Sequence, residues 1–461
     1  MRYNYYSSVD SLWVEELPSD WQFNHLRTVF WERKENNDPI KIRDILSLSA
    51  KHGVQLYGDK THEGGNRAKD DLSKYHIAYP GDLIVNCMNV ISGSVGLSNY
   101  KGLISPVYYA LVTRGEQYNR YYYNYLFSIE PFQKSLLPLG KGILIHESGT
   151  GKLNTIRLRI AMSSLNNVSL PVPPREEQDQ IVRYLDWQTS RINKLIHGYQ
   201  REIKLLEERK LTIINTAVTK GLNPNIGYKS VDSNWTGDIP EHWDFGAIKQ
   251  HFRIQKRIAG KEGYDVISIT QQGLKVKDVA SNEGQIAASY ANYQFVYPGE
   301  YAMNHMDLLT GYVGLSDNFG VTSPDYRVFT LEDVENCDPQ YYLYIFQLGY
   351  RRRIFYGLGK GAASKGRWRM PAINFKNFGI PIPPIVEQRE IVQYIGEQEK
   401  KIDELIAGIE KQIASLREYR TRLISDVVTG QIDVRGITIP EFEPENGIDE
   451  PEAVEDEEAE E

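Results

Sequence analysis

The run Leu170-Pro171-Val172-Pro173-Pro174-Arg175-Glu176-Glu177-Gln178 returns 210 residues later as Ile380-Pro381-Ile382-Pro383-Pro384-Ile385-Val386-Glu387-Gln388. Proline is tolerated where a helix starts, and acidic residues suit its first turn. Both copies therefore predict a helix beginning at the paired prolines. Gly221 and Gly430, preceded by Thr219 and Thr429, supply the stops. Each helix is expected to span roughly 44 residues, or about 65 Å at 1.5 Å per residue.

The apolar spacing along both helices alternates four and three, which is a coiled-coil seam. In the first it runs Ile192, Ile196, Tyr199, Ile203, Leu206, Lys210, Ile213 and Ala217. In the second it runs Ile402, Ile406, Ile409, Ile413, Leu416, Arg420, Leu423 and Val427. Each seam is interrupted at the same place by a base, Lys210 or Arg420. A long basic side chain in a seam can reach outward to solvent, which is the reading favoured here. The alternative is a polar position that sets the register. Two similar units in one chain predict pseudo-two-fold symmetry and antiparallel helices, a rod fixing the separation of the segments that precede each helix.

Those segments are duplicated as well. Val9-Asp10-Ser11-Leu12-Trp13 matches Val231-Asp232-Ser233-Asn234-Trp235, and Pro18, Trp21 and Phe30 match Pro240, Trp243 and Phe252, an offset of 222. Tyr79-Pro80-Gly81-Asp82 matches Tyr297-Pro298-Gly299-Glu300 at 218, in register with Val95-Gly96-Leu97-Ser98 and Val313-Gly314-Leu315-Ser316. Gly140-Lys141-Gly142 matches Gly359-Lys360-Gly361 at 219. The drift in offset makes the first copy nine residues longer around Ile143 to Arg157. Length differences collect in loops, where specificity is usually built. The Gly, Ser and Pro punctuation reads as strands and turns, with short helices at Tyr121–Ser128 and Tyr341–Leu348. The fold class expected is α/β: two mixed α/β modules, residues 1–174 and 222–384, separated by two long antiparallel coiled-coil helices, 175–221 and 385–430. Residues 431–461 are expected to form an acidic, disordered tail.

Composition is that of a soluble protein, with 41% hydrophobic and 25% charged residues. No apolar run approaches the roughly 18–20 residues a membrane span needs, and no leader is evident at the N-terminus, so a cytoplasmic location is expected. Cys87 and Cys337 are too far apart in sequence for a zinc motif and too few for a disulfide framework. The net charge is −8, but the last 21 residues hold 12 Asp or Glu and no Lys or Arg. The remainder is near +4, which permits a nucleic-acid partner without requiring one.

The two ordered motif sets with their helices resemble the specificity subunit of type I restriction–modification systems. The resemblance is carried by Ile239-Pro240-Glu241-His242-Trp243 and its counterpart Leu17-Pro18-Ser19-Asp20-Trp21. Asn304 through Ser316 with Ser323-Pro324, the Gly-Lys-Gly runs, the two Pro-Pro/Glu-Gln helix starts and the helix ends Thr216-Ala217-Val218-Thr219-Lys220-Gly221 and Asp426-Val427-Val428-Thr429-Gly430 also carry it. It covers residues from about 9 to 435. The resemblance implies that each module is a target-recognition domain for half of a bipartite double-stranded DNA sequence. It implies that the helices measure the spacer and carry two modification (methyltransferase) subunits, which restriction subunits join. S-adenosylmethionine then belongs to the modification subunit, ATP and Mg to the restriction subunit, and no cofactor or metal to this chain.

No phosphate loop, metalloprotease motif or adenine-methyltransferase motif is found, so no catalytic residue is expected. His62, His146 and His305 are isolated, and ordinary surface or core roles suit them best. DNA contact needs phosphate charge and base-edge donors in the variable stretches. The candidates in the first module are Lys60, Asn66, Arg67, Lys69, Lys141, Lys152, Arg157 and Arg159. In the second they are Lys256, Arg257, Gln271, Gln272, Lys275, Lys360, Lys365, Arg367 and Arg369. The Gly-Lys-Gly runs are read as loops approaching a phosphate, the rival being a surface turn. Because these stretches differ between modules, two different half-sites and an asymmetric target are expected. The alternatives are the specificity subunit of a related type II system, which neighbouring genes would reveal, and a non-DNA coiled-coil scaffold with two protein-binding modules.

Overall fold

Pro173-Pro174 and Pro383-Pro384 each close a short strand and open a long helix. The strand Ser169–Val172 pairs antiparallel with Gln22–His25, and Gly379–Ile382 pairs with Asp244–Ala247. The helices span Arg175–Lys220 and Ile385–Val428. The computed structural model describes residues 2–49, 52–59, 71–88, 94–143, 157–271, 273–278, 289–361 and 368–444. The chain forms two compact units. One holds the residues up to Tyr199 with the segment that begins at Lys411, and the other is Gln200–Glu410. Each long helix therefore contributes one half to each unit.

The first unit is built on a four-stranded antiparallel sheet in the order Phe30–Arg33, Tyr108–Thr113, Leu83–Asn86, Val95–Leu97. The second repeats it with Phe252–Gln255, Arg327–Leu331, Tyr301–Met303 and Val313–Leu315. The Tyr-Pro-Gly-acid motif is the turn leading into a central strand. Its acid is buried and ion-paired: Asp82 to Arg33 at 2.9 Å in the first unit, Glu300 to Arg257 in the second. A hairpin, Leu46–Ser49/Gly53–Leu56 or Ile267–Thr270/Gly273–Val276, packs on the last strand of each sheet. Gly96 and Gly314 permit that approach. A Cβ on Gly96 would stand 3.1 Å from the Gly53 backbone, and one on Gly314 would stand 2.6 Å from Leu274. Larger residues would push the hairpin away.

The short helices are Arg120–Ser128 and Pro339–Arg351. Asn119 caps the first by accepting from the Tyr121 N–H at 2.9 Å, and Asp338 caps the second by accepting from Gln340 at 2.8 Å. Their tyrosines fill the cores, with Tyr122, Tyr123, Tyr341 and Tyr342 fully buried. Burying a phenol is costly unless its hydroxyl is bonded. Tyr122 donates to the Val428 carbonyl at 2.8 Å, and Tyr341 donates to that of Val218 at 3.1 Å. These bonds fasten the end of a long helix to each module.

The Glu-Gln pair of the repeated motif does two jobs. The side-chain oxygen of Gln178 accepts from the Asn119 N–H at 2.7 Å, and that of Gln388 accepts from Asp338 at 2.8 Å. Their amides donate back to the Pro173 and Pro383 carbonyls, both at 2.8 Å. One side chain thus ties the start of a long helix to the cap of a short one. Glu387 accepts from the Trp243 indole at 2.9 Å, while Glu177 accepts from the Tyr3 hydroxyl at 2.5 Å.

Every seam residue is buried or half-buried. In the second unit Ile214 and Val218 share a core with Ile391 and Ile395, so the helices there are antiparallel. Lys210 and Arg420 correct the outward reading. Lys210 bonds Asp403 at 2.9 and 3.0 Å and lies 3.4 Å from Glu399. Arg420 donates to the buried Asn193 at 3.0 Å. Both bases face the partner helix.

The tail expectation also needs correcting up to residue 444. Val434 is fully buried, Gln180 donates to the carbonyls of Val434 and Ile437 at 3.0 and 2.8 Å, and Ser190 donates to Glu443 at 3.2 Å. The segment after the second long helix therefore lies along the first half of the first. Residues beyond 444 are outside the described residues.

Candidate nucleic-acid interface

Gly140-Lys141-Gly142 is a strand, not the loop expected from sequence. Gly140–Ile143 pairs antiparallel with Arg157–Ile160, placing Lys141 opposite Arg159 and Ile143 opposite Arg157. In the second module Lys360 and Arg369 exchange backbone hydrogen bonds at 2.9 and 3.2 Å. Residues directly opposite in an antiparallel pair share a face. Each module thus sets an exposed lysine beside an exposed arginine on a two-stranded ribbon. The nine-residue length difference lies between the two strands, beyond the pairing.

Both ribbons are fastened to the sheet in the same way. Ile160 donates its N–H to the Cys87 carbonyl at 3.0 Å, and Met370 donates to that of His305 at 2.9 Å. The carbonyl of Ile160 accepts from the Tyr109 hydroxyl at 3.0 Å, and that of Met370 accepts from Arg327 at 3.0 Å. Tyr109 and Arg327 occupy equivalent positions, as do Cys87 and His305. Burial pushes the Cys87 thiol up. Burial, followed by the charges of Arg327, Arg369 and Lys256, pushes His305 down to about 3. His305 is therefore a neutral core residue near neutral pH. Arg327 and His305 were not singled out as functional by sequence. The signal was present, since aligning the copies sets a charge against Tyr109.

The other candidates divide. Lys275 and Gln271 are exposed on the hairpin that packs on the second sheet, Gln271 at its turn. Lys256 is exposed, and its ammonium donates to the Pro324 carbonyl. Arg257 is engaged inside the module. It pairs with Glu300 and lies 4.7 Å over the Tyr297 ring, as Arg33 lies 4.7 Å over Tyr79. That makes it a brace for the Tyr-Pro-Gly-acid turn. Lys60, Asn66, Arg67, Lys69, Lys152, Gln272, Lys365 and Arg367 lie outside the described residues. Among the described residues no His, Cys, Asp and Glu cluster is arranged to hold a metal ion, and no helix is long and apolar enough to cross a membrane. Cys87 and Cys337 are buried and unbridged.

The family model of the type I restriction modification DNA specificity domain matches residues 55–205 and 241–415. The chain belongs to this family. It is a type I specificity subunit by its two domains and by its relatives. The MjaVIII specificity subunit of Methanocaldococcus jannaschii is 24% identical over 59% of this chain and 64% of its own length. The putative MjaX specificity subunit of the same organism is 23% identical over 92% of this chain and 96% of its own. The EcoBI specificity subunit of Escherichia coli is 20% identical over 87% and 81%. A chain solved in work on complex assembly and conformational transition of the type I R-M system shares the fold. Its TM-score is 0.61 at 13% identity, covering 90% of this chain and 99% of that one. The chain solved there thus shares this two-module, α/β fold, and the equivalent ribbons are where the two modules of the present chain set paired cations.

Proposed function

We propose that this specificity subunit reads a bipartite, asymmetric DNA sequence, one half with each module, and directs partner adenine-methyltransferase and restriction subunits to it. The chain itself is the non-catalytic member of that complex. Methyl transfer from S-adenosylmethionine belongs to the modification subunits, and ATP- and Mg-dependent cleavage to the restriction subunits. The reading rests on one observation above all. Each module repeats a Lys–Arg pair on an exposed ribbon, Lys141 with Arg159 and Lys360 with Arg369, while beyond the repeated Gly-Lys-Gly the sequence running from one residue to the other differs in length and composition. Equivalent cations suit contacts with phosphates, which are the same in every sequence, and divergent flanks suit contacts with bases, which are not. The exposed faces of the paired helices are available to the modification subunits.

The test is binding of the purified complex to duplex DNA across a salt series. Phosphate contacts release counterions, so log affinity should fall linearly with log salt, with a slope of several units. A flat dependence would favour a protein-binding scaffold instead.

A further inference from the structure

The second ribbon rests on a charge that the first lacks. Arg327 is 5% exposed, and no carboxylate among the described residues forms an ion pair with it. Its Nη2 donates to the Met370 carbonyl at 3.0 Å, and its Nη1 has no partner among the described residues. The guanidinium lies 4.7 Å over the Phe375 ring. Beside it His305 is 6% exposed, and its Nδ1 has no partner among the described residues. Exposed Arg369 directly precedes Met370, whose carbonyl Arg327 holds, and the ammonium of exposed Lys256 donates to the carbonyl of Pro324, three residues before Arg327. Three cations therefore flank this stretch of backbone.

The fold alone does not require this arrangement. Tyr109 gives the first module the same bond to its ribbon, at 3.0 Å, with a neutral hydroxyl. A buried, uncompensated cation costs free energy that tyrosine does not, and a low-dielectric setting strengthens its attraction for an anion. Burial and the neighbouring Arg369 already push Arg327 down to about 10.

We infer that Arg369 and Lys256, backed by buried Arg327, form an anion seat at the base of the second ribbon, and that it takes one DNA backbone phosphate. Arg369 and Lys256 make the contact. Arg327 is a positioning residue that holds the ribbon strand and adds a charge water does not screen. The first module has counterparts of the two contacting cations in Arg159 and Lys34, but Tyr109 stands in place of the buried charge, so the second contributes the stronger phosphate clamp. This inference rests on the DNA-binding reading above.

The experiment compares the full chain in its complex with Arg369→Gln and Arg327→Tyr variants, the latter installing the first module's residue and its ribbon bond. Duplex binding is measured across a salt series. Losing one phosphate contact should lower the log–log slope by about 0.9. Arg369→Gln is expected to do so and to weaken binding roughly tenfold. Arg327→Tyr should weaken binding while the melting temperature stays level or rises, because the buried charge is removed and the ribbon bond kept, and the double variant should lose less than the two single losses combined. Wild-type slope and affinity in Arg369→Gln, a surface change that leaves folding intact, would overturn the seat. If the wild-type complex shows no salt-dependent DNA binding, the underlying reading fails and inorganic phosphate becomes the probe. A phosphate-induced rise in melting temperature that Arg369→Gln abolishes would then support the seat, and no rise in wild type would overturn it.

Discussion

Lys210 of the first long helix holds both carboxylate oxygens of Asp403 on the second, at 2.9 and 3.0 Å, inside an otherwise apolar seam. Glu399, one turn earlier on that helix, stands 3.4 Å away. Lys210→Glu would set a third carboxylate against these two. It is expected to destabilise the second unit by about 1–3 kcal/mol, with the deficit shrinking in high salt. Lys210→Met is expected to stay within about 1 kcal/mol of wild type, because an apolar side chain can replace a partly buried ion pair. Denaturant unfolding of both variants checks this.

Gln388 joins the start of a long helix to the cap of a short one. Gln388→Ala strands the Asp338 N–H and the Pro383 carbonyl. A loss of about 1–3 kcal/mol is expected, since unsatisfied buried groups cost that much. Gln178→Ala should cost a similar amount in the first unit. Equal stability to wild type would show that water replaces the bonds without loss.

Gly430 ends the second long helix at a φ of +72°, and a Cβ there would meet Pro18 at 2.5 Å and Trp21 at 3.1 Å. Gly430→Ala should therefore cost more than about 1 kcal/mol. Gly436→Ala, with open space around it, serves as the control and should be near neutral.

Acid should destabilise the second unit through His305. Its folded pKa is pushed down to about 3, while an unfolded histidine titrates near 6.5. Between those values the unfolded chain binds a proton that the folded chain does not. The contribution is fully present above about pH 6.5 and is lost as pH falls toward 3, with a slope of at most about one proton. His305→Gln should flatten the dependence of unfolding free energy on pH between pH 7 and pH 4.5. An unchanged slope would mean that His305 does not titrate on unfolding.

The frame was legible because duplication aligns the chain with itself. Paired prolines, seam spacing and capping residues act over a few positions, and the helices form where those signals stand. Contacts made across long separations were not legible. Lys141 meets Arg159, and Lys360 meets Arg369, across intervals of different length, so no fixed spacing announces the ribbons. Arg257 reads as a free base until Glu300 is found beside it. Val434 belongs to a segment whose acidic continuation hides the apolar contact it makes. Lys210 and Arg420 looked outward because a seam read on one helix does not reveal what faces it.

The most direct test of the account is to map methylated adenines in cells carrying the complete system, first with the wild-type subunit and then with residues 222–384 exchanged for those of a relative. The account predicts an asymmetric two-part motif of which the exchange alters one half and leaves the other intact. A palindromic motif, or an exchange that changes both halves or neither, would contradict it.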